Sequence, residues 1–220
     1  MTKQHFFITG TDTDSGKTYV VTQLLKAFRH SGKSVVALKP LASGCTLQQG
    51  QLISPDAACF QSYHSSALEI SGWKFEAPIA PHLAAQEAMQ RISAIDIQQF
   101  CLQSAFNAYD YCLIEGAGGL MVPLNDVETW VDFIKLMQIP ILLVVGMQLG
   151  CINHALLTAE VITKYQLPCA GWIANFLQPT MLRPEENLAT LQTRMPIPFL
   201  CDVNYQGEIA QNVVSALCAE

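Results

Sequence analysis

The stretch FFITGTDTDSGKT, residues 6–18, constrains the fold of this chain more than any other part of the sequence. It begins with apolar, β-prone residues, continues into a small polar loop after Gly10, and ends with Gly16, Lys17 and Thr18. Apolar residues then recur at helical spacing over residues 19–28. A strand, a glycine loop and a helix in this order are typical of a phosphate-binding P-loop, in which backbone N–H groups and the helix macrodipole face an anion.

The loop is one residue longer than the common P-loop pattern. That pattern places four residues between its two glycines, whereas five residues separate Gly10 from Gly16. The alternative is a polar strand-to-helix turn in which Gly-Lys-Thr occurs by chance. Because the flanking strand and helix both fit, we favour an uncommon P-loop. In such a loop Lys17 reaches the β- and γ-phosphates, and the hydroxyl of Thr18 ligates Mg²⁺.

The composition favours a single α/β domain over residues 1–220. Of the 220 residues, 50% are hydrophobic and 14% are charged, so a large core can be buried. No repeat, linker or low-complexity tract divides the chain. The net charge is −6 with only 12 Lys and Arg residues and no basic stripe, which argues against nucleic acid as the main partner.

The sequence also predicts a cytoplasmic protein with no membrane span. The longest apolar run, residues 139–147, contains Pro140 and Gly146 and is far shorter than the ~20 residues that a span requires. The first residues lack the apolar stretch of a secretory signal. The eight cysteines include no C-x-x-C pair, which favours thiols in a reducing cytosol over disulfides or a zinc site.

Short apolar runs alternate with helical patterns along the whole chain. Predicted strands cover residues 6–8, 34–38, 109–115, 141–145, 169–174 and 197–200. Predicted helices cover residues 19–28, 84–89, 95–108, 129–137, 155–165, 188–194 and 209–218, with a further helix starting at Pro55; residues 46–54 and 68–82 are predicted loops. This order indicates a single-domain P-loop NTPase fold of the α/β class, with a mostly parallel central sheet and helices on both faces.

Two charged residues follow predicted strands at the edge where α/β sheets bind ligands. Lys39 ends one strand beside the P-loop strand, and Glu115 ends another before a glycine-rich turn. P-loop proteins need a second acid at a neighbouring strand end to hold Mg²⁺, and Glu115 is placed for this. Alternatively, Lys39 could be a surface lysine that caps its strand, and Glu115 could be a solvated acid at a strand end. Asp56 could likewise only answer the dipole of a helix that starts at Pro55.

Taken together, five segments resemble the dethiobiotin synthetase family. They are TGTDTDSGKT (residues 9–18), KPLASG (39–44), SPDA (54–57), EGAGG (115–119) and LGCINH (149–154). The family's P-loop carries the same extra residue. The resemblance runs in order from residue 4 to about residue 200, and the joint match is far more specific than any single segment.

The resemblance implies that the chain joins CO₂ to 7,8-diaminononanoate and closes a cyclic urea, with ATP becoming ADP and phosphate. A carbamate would attack the γ-phosphate, and the second amine would displace phosphate from the resulting anhydride. Lys17 and Lys39 would be catalytic, and Thr13 and Ser43 would bind the substrate nitrogen or carbamate. Thr18, Asp56 and Glu115 would form the Mg²⁺ shell. The implied ATP-binding set is Asp14, Ser15, Gly16, Lys17, Thr18, Tyr19, Asp56, Glu115, Gly116, Gly118, Gly119 and Asn175, the last as the reader of adenine.

The resemblance also implies a homodimer that shares its substrate sites. Gly150, Cys151, Ile152 and Asn153 would bind the carboxylate end of the diamine across the interface. The sequence departs from the family at Asn187, where a Tyr often contacts that carboxylate. It departs again at residues 203–206, where a Pro-Trp-Leu-like stretch usually lies against adenine.

Other interpretations stay open at this level. One is a ParA-like partitioning ATPase, although residues 11–13 lack the early lysine of those proteins and the chain is acidic. Another is the synthetase part of a cobyrinate-type amidotransferase, which would need a glutaminase domain. The last is a catalytically inactive relative that still binds ATP.

Overall fold

A parallel sheet forms the centre of the computed structural model, which describes residues 4–65 and 67–218. The strands are β1 (Gln4–Gly10), β2 (Val35–Leu38), β3 (Leu41–Ala42), β4 (Thr46–Gln48), β5 (Gln51–Ile53), β6 (Trp73–Lys74), β7 (Tyr111–Gly119), β8 (Ile141–Met147), β9 (Cys169–Phe176) and β10 (Phe199–Val203). The helices are α1 (Lys17–His30), α2 (Pro55–Gln61), α3 (Pro81–Glu87), α4 (Ala94–Cys101), α5 (Trp130–Met137), α6 (Cys151–Lys164), α7 (Pro184–Arg194) and α8 (Asn212–Cys218), with a 3-10 turn over Ser104–Phe106.

The central sheet has the order β10-β9-β8-β1-β7-β2, and all its pairings are parallel. The chain passes from β1 to β2 on one side and from β7 through β8 to β10 on the other. Because parallel crossovers share one hand, this change of direction places helices on both faces of the sheet. The fold predicted from the sequence is therefore confirmed.

The core lies along β1 and β8, whose side chains are almost wholly excluded from solvent. Every residue of β8 is buried, as a strand covered on both faces requires. Helix α5 contributes Trp130 and Phe133, whose rings lie 5.2 Å and 5.6 Å from the ring of Phe7 in β1. These contacts fix the strand that leads directly into the P-loop. In the described part of the chain, no helix is both long and apolar enough to cross a membrane.

The predicted loop over residues 46–54 is wrong, because β4 and β5 form an antiparallel hairpin there. Its two turn residues, Gln49 and Gly50, have φ values of 48° and 81°, as a two-residue turn of the hairpin type requires. The hairpin is mostly exposed. Without a buried face it leaves no alternating hydrophobic pattern to predict it.

Several element boundaries also differ from the predictions. Helix α4 ends at Cys101, whereas the predicted helix runs to residue 108. The 3-10 turn that follows buries Phe106 against Phe100, and this apolar residue extends the helical periodicity of the sequence beyond the helix. Strand β7 continues past Glu115 to Gly119, and β10 begins at Phe199 rather than at Ile197. Helix α6 starts at Cys151, four residues before the predicted position.

Candidate active site

The P-loop joins β1 to α1 and needs glycine at its last position. Gly16 has φ +81° and precedes the first residue of α1. A Cβ atom there would lie 2.0 Å from Nδ2 of Asn175, so a side chain is excluded by space as well as by backbone conformation. The side chain of Asn175, at the end of β9, donates a 3.0 Å hydrogen bond to the carbonyl of Ser15. The loop is thus held from the neighbouring part of the sheet.

The ammonium of Lys17 lies inside the loop. Its Nζ donates hydrogen bonds of 2.9 Å to the carbonyls of Asp12 and of Thr13. Burial outweighs the opposing charge of Glu115 and, with a smaller contribution from the charge of Lys39, lowers the pKa of Lys17 to about 8. Lys17 is therefore placed to contact a phosphate, but it loses part of its positive charge in mildly alkaline solution.

Two carboxylates meet the hydroxyl of Thr18 beside the loop. Thr18 Oγ1 lies 3.0 Å from Asp56 Oδ1 and 3.0 Å from Glu115 Oε1. Lys39 Nζ lies 2.6 Å from Glu115 Oε1 and 2.8 Å from Asp56 Oδ2, and it is buried. The structure therefore gathers all four of these predicted residues into one cluster.

The strand register and a helix cap explain why the cluster forms. Strand β2 ends at Leu38, which lies opposite Ile114 of β7, so the next residues on the two strands, Lys39 and Glu115, come side by side. Helix α2 starts at Pro55, and its N-cap Ser54 accepts a hydrogen bond from the backbone of Ala57. This cap fixes the first turn, which carries Asp56.

The charges in the cluster stabilise one another. Burial disfavours the charged form of Lys39, but Glu115 and Asp56 outweigh it and raise the lysine's pKa. Burial likewise opposes ionisation of Asp56, yet the neighbouring Lys39 ammonium lowers its pKa overall. At neutral pH the Lys39 ammonium and the Asp56 carboxylate therefore form an ion pair.

The oxygen atoms of the cluster fit a hard divalent cation. No three His, Cys, Asp or Glu side chains gather into a possible metal site among the described residues, so a protein-only cage is absent there. However, Oε2 of Glu115 is buried and has no hydrogen-bond partner. Carboxylate and hydroxyl oxygens from Asp56, Glu115 and Thr18 are the ligands that Mg²⁺ takes when phosphates complete its shell.

A cleft of about 620 Å³ opens over the loop and the cluster. Ten of the predicted site residues line it: Thr13, Asp14, Gly16, Lys17, Thr18, Lys39, Ser43, Asp56, Glu115 and Gly118. Six further lining residues were not predicted from the sequence: Pro78, Ile79, Ala80, Pro81, Ala117 and Val122. The one available signal was the length of the predicted loop over residues 68–82, since long loops often carry function.

Four other predicted residues do not line this cleft: Ser15, Tyr19, Gly116 and Gly119. Ser15 is buried. The hydroxyl of Tyr19 donates a 2.6 Å hydrogen bond to the carbonyl of Gly207. A Cβ on Gly116 would come within 2.6 Å of the Phe7 ring. Gly119 pairs with Gly10 at the end of β1.

The predicted carboxylate-binding segment lies at the start of α6, outside the lining of the cleft. Gly150 has φ +96° and serves as the N-cap of the helix. Cys151 is buried, Ile152 is half-buried and Asn153 is exposed. Within one chain, residues 150–153 do not contribute to the cleft wall.

The two departures from the family are only partly buried. Asn187 is half-buried, and its amide donates a 2.7 Å hydrogen bond to the carbonyl of Arg183. In the segment over residues 203–206, Val203 is buried in β10 and Tyr205 is exposed.

Comparison with known sequences assigns the family. Residues 4–213 match the family profile described as an AAA domain. The chain is 46% identical over 215 residues to the protein named ATP-dependent dethiobiotin synthetase BioD of Legionella pneumophila (strain Paris), with 97% of this chain and 100% of that protein covered. The chain belongs to the dethiobiotin synthetase family. The protein of the same name from Cellvibrio japonicus (strain Ueda107) is 47% identical over 203 residues, covering 91% and 89% of the two chains. The resemblance carried by the five segments is confirmed.

Solved structures with much lower identity share the fold of this chain. A ParA family ATPase from Chlorobium tepidum TLS has a TM-score of 0.56 at 14% identity, covering 93% of this chain and 85% of that one. The septum site-determining protein MinD from Pyrococcus horikoshii OT3 has a TM-score of 0.56 at 16% identity, covering 98% and 86%. At such identities the likeness concerns the fold alone.

Proposed function

We propose that this chain is a cyclo-ligase that uses ATP to carboxylate 7,8-diaminononanoate and close its ring to dethiobiotin, a step of biotin biosynthesis. The name of the curated relatives supports the reaction. The observation that carries the proposal in the structure is the meeting of Lys39 with Glu115 at 2.6 Å and with Asp56 at 2.8 Å, directly beside the P-loop. Family membership favours this enzyme over a partitioning ATPase or an amidotransferase.

The proposed reaction has three steps. One amine of the diamine adds to CO₂ and gives a carbamate after losing a proton. A carbamate oxygen attacks the γ-phosphorus of ATP, the bond to the bridging oxygen breaks, and ADP leaves. The second amine then attacks the carbonyl carbon of the carbamic-phosphoric anhydride, phosphate leaves, the amine loses a proton to the departing phosphate or solvent, and the urea ring closes.

The two lysines would supply most of the electrostatic stabilisation. In phosphoryl transfer the negative charge collects on the phosphoryl oxygens, so cations and aligned N–H groups dominate catalysis. Lys17 would hold the γ-phosphate from the loop, and the N–H groups at Asp14, Ser15, Gly16 and Thr18 would hold the others. Lys39 would lie between carbamate and phosphate, because its strand end faces the loop.

Thr18, Asp56 and Glu115 would hold Mg²⁺ with the nucleotide. When bound, the ion neutralises phosphate charge and so eases the approach of an anionic carbamate. The buried Oε2 of Glu115, which has no hydrogen-bond partner, supports this assignment.

The remaining wall of the cleft suits the diamine. Thr13 and Ser43 offer hydroxyls for the amines or the carbamate, and both line the cleft. Pro78, Ile79 and Val122 add apolar side chains to the lining of the same cleft. This surface would bind the alkyl chain of the diamine, whereas Gly118, which also lines the cleft, would let the backbone approach a phosphate closely.

The proposed active form is a cytoplasmic homodimer. Residues 150–153 lie outside the cleft of their own chain, and the neighbouring Leu149 is fully exposed. We infer that this segment would reach the carboxylate end of the diamine bound by a second copy. An active monomer in sedimentation velocity experiments would contradict the shared site.

Asn175, held on the P-loop at the end of β9, is the proposed reader of adenine.

The proposed function is tested by measuring ADP release from purified protein with Mg²⁺, ATP, bicarbonate and 7,8-diaminononanoate, omitting each in turn. We expect release only when all four are present, together with a product of the mass of dethiobiotin. ATP turnover without the diamine would leave the P-loop assignment standing and reject the biosynthetic one. A catalytically inactive relative would bind ATP but release no ADP in any mixture.

A further inference from the structure

The ammonium of Lys39 contacts the same carboxylates that are proposed to hold a metal ion. It lies 2.6 Å from Oε1 of Glu115 and 2.8 Å from Oδ2 of Asp56. Lys39 is only 4% exposed and Glu115 is fully buried. Lys39 thus occupies one oxygen of each carboxylate, and its buried positive charge repels a divalent cation that approaches the remaining oxygens.

The local charges are already balanced without any added ion. Asp56 and Glu115 contribute two negative charges, the ammonium of Lys39 pairs with both, and the ammonium of Lys17 lies in the adjoining P-loop. A divalent cation that entered alone would displace the buried ammonium of Lys39 from its partners. Leaving a buried charge unpaired is costly, so binding of the ion by itself is opposed.

Nucleotide phosphates change this balance. They bring several negative charges to the P-loop, to which an ammonium displaced from Glu115 and Asp56 can move. We propose that Lys39 is an internal counter-cation that keeps the Asp56–Glu115 pair from binding a divalent metal until nucleotide phosphates arrive. Lys39 therefore orders the loading of the site, in addition to its proposed contact with the reacting groups.

The consequence is that metal enters this enzyme together with the nucleotide and not before it. The inference rests on the metal ligands of the proposed function but not on the carboxylation reaction. It can fail while the protein still makes dethiobiotin, and it can hold in a protein that does not.

The test is a titration of the full chain with Mn²⁺ in the absence of nucleotide. The electron paramagnetic resonance signal of the free ion reports how much Mn²⁺ remains unbound. The variant Lys39→Met removes the charge with little change in volume. We expect it to bind Mn²⁺ about tenfold or more tighter than the unchanged protein, because removal of one buried positive charge favours an incoming cation. Lys39→Arg keeps the charge and should bind Mn²⁺ as weakly as the unchanged protein. Lys74→Met, on the exposed pair with Glu69, is the matched control and should change nothing.

Two further measurements keep the inference falsifiable. Lys39→Gln keeps a hydrogen-bond donor while losing the charge, so it serves if Lys39→Met does not fold, as judged by circular dichroism. Addition of ADP should raise the Mn²⁺ affinity of the unchanged protein far more than that of the neutral variants. Equal Mn²⁺ affinity in the unchanged protein and the neutral variants, without nucleotide, would overturn the inference.

Discussion

The amide of Asn175 donates a 3.0 Å hydrogen bond to the backbone carbonyl of Ser15, across 160 positions of sequence. Both groups are buried, and the contact ties the carboxyl end of β9 to the P-loop. Because Gly16 follows directly and leaves no room for a Cβ against this amide, Asn175 also shapes the path of the loop. The loop is therefore not an independent turn but part of the sheet edge.

Asn175→Ala should lower both stability and nucleotide affinity. It leaves a buried carbonyl without its donor, which costs about 1–3 kcal/mol, and it frees the loop that holds the phosphates. We expect a larger dissociation constant for ATP in calorimetry and a lower midpoint concentration of urea in unfolding. Asn187→Ala, which removes an exposed hydrogen bond on α7, is the control and should alter neither quantity by much. An Asn175→Ala variant with unchanged ATP affinity would contradict the role of this residue.

Gly16→Ala should harm the protein more than Gly32→Ala, although both glycines have positive φ values. At Gly32, with φ +70°, an added Cβ meets nothing within 4 Å, so only backbone strain of about 1 kcal/mol is expected. At Gly16 the added Cβ would also strike the amide of Asn175. Urea unfolding of the two variants measures the difference. Equal losses of unfolding free energy would show that the loop can rearrange around the extra atom.

The affinity for nucleotide should fall as pH rises through about 8. Burial lowers the pKa of Lys17 to about 8, so the ammonium that faces the phosphates loses its proton near that pH. The same shift in the pKa of Lys17 makes folding more favourable as pH rises from about 8 to the ordinary lysine value of 10.5, because the unfolded chain then binds more protons than the folded one. Calorimetric titration with ADP between pH 7 and 9 measures the first effect.

Lys17→Arg separates charge from contact in that experiment. A guanidinium stays charged over the whole range, so the fall in affinity should disappear even if binding is weaker at every pH. If the unchanged protein and the arginine variant showed the same pH profile, a group other than Lys17 would be responsible.

His64 should make the fold sensitive to acid. The backbone N–H of Ala37, on the edge strand β2, donates a 3.2 Å hydrogen bond to Nε2 of His64, and protonation would remove this acceptor. Burial, with a smaller contribution from Arg29, lowers the pKa of His64 from 6.5 to about 4. The stability that neutral His64 provides is thus present above pH 6.5 and is lost as pH falls towards 4.

Urea unfolding at pH 7 and pH 5 tests this prediction. His64→Gln should lose stability at pH 7 and show a smaller drop between the two values than the unchanged protein. His30→Gln, at the exposed end of α1, is the control and should keep the full drop. Identical drops in the unchanged protein and His64→Gln would exclude His64 as the cause.

The order of buried strands and the functional edge of the sheet could be predicted from sequence. Lys39 and Glu115 each follow a run of apolar residues, and parallel strands bring such ends together whatever the length of the intervening chain. The P-loop is likewise a local pattern, from Gly10 to Thr18. These features depend on periodicity and on neighbouring residues, which a sequence displays directly.

Contacts made over long distances could not be predicted in the same way. Nothing near Asn175 indicates that its amide will meet Ser15, and nothing in the loop shows that Lys17 will bind the carbonyls of Asp12 and Thr13. The apolar wall at Pro78 and Ile79 comes from a segment without regular periodicity. Such contacts depend on how distant elements pack, and this information is not local.

The most direct test of the central claim, that ATP phosphorylates a carbamate in this cleft, is the isotopic composition of the released phosphate. Bicarbonate labelled with ¹⁸O is mixed with protein, Mg²⁺, ATP and diamine in unlabelled water, and the reaction is quenched after one turnover, before label exchanges with solvent. Since the oxygen that attacks phosphorus leaves with the phosphate, we expect one labelled oxygen in each phosphate and one in the ring carbonyl. Unlabelled phosphate alongside labelled dethiobiotin would contradict the carbamic-phosphoric anhydride and require another means of activation.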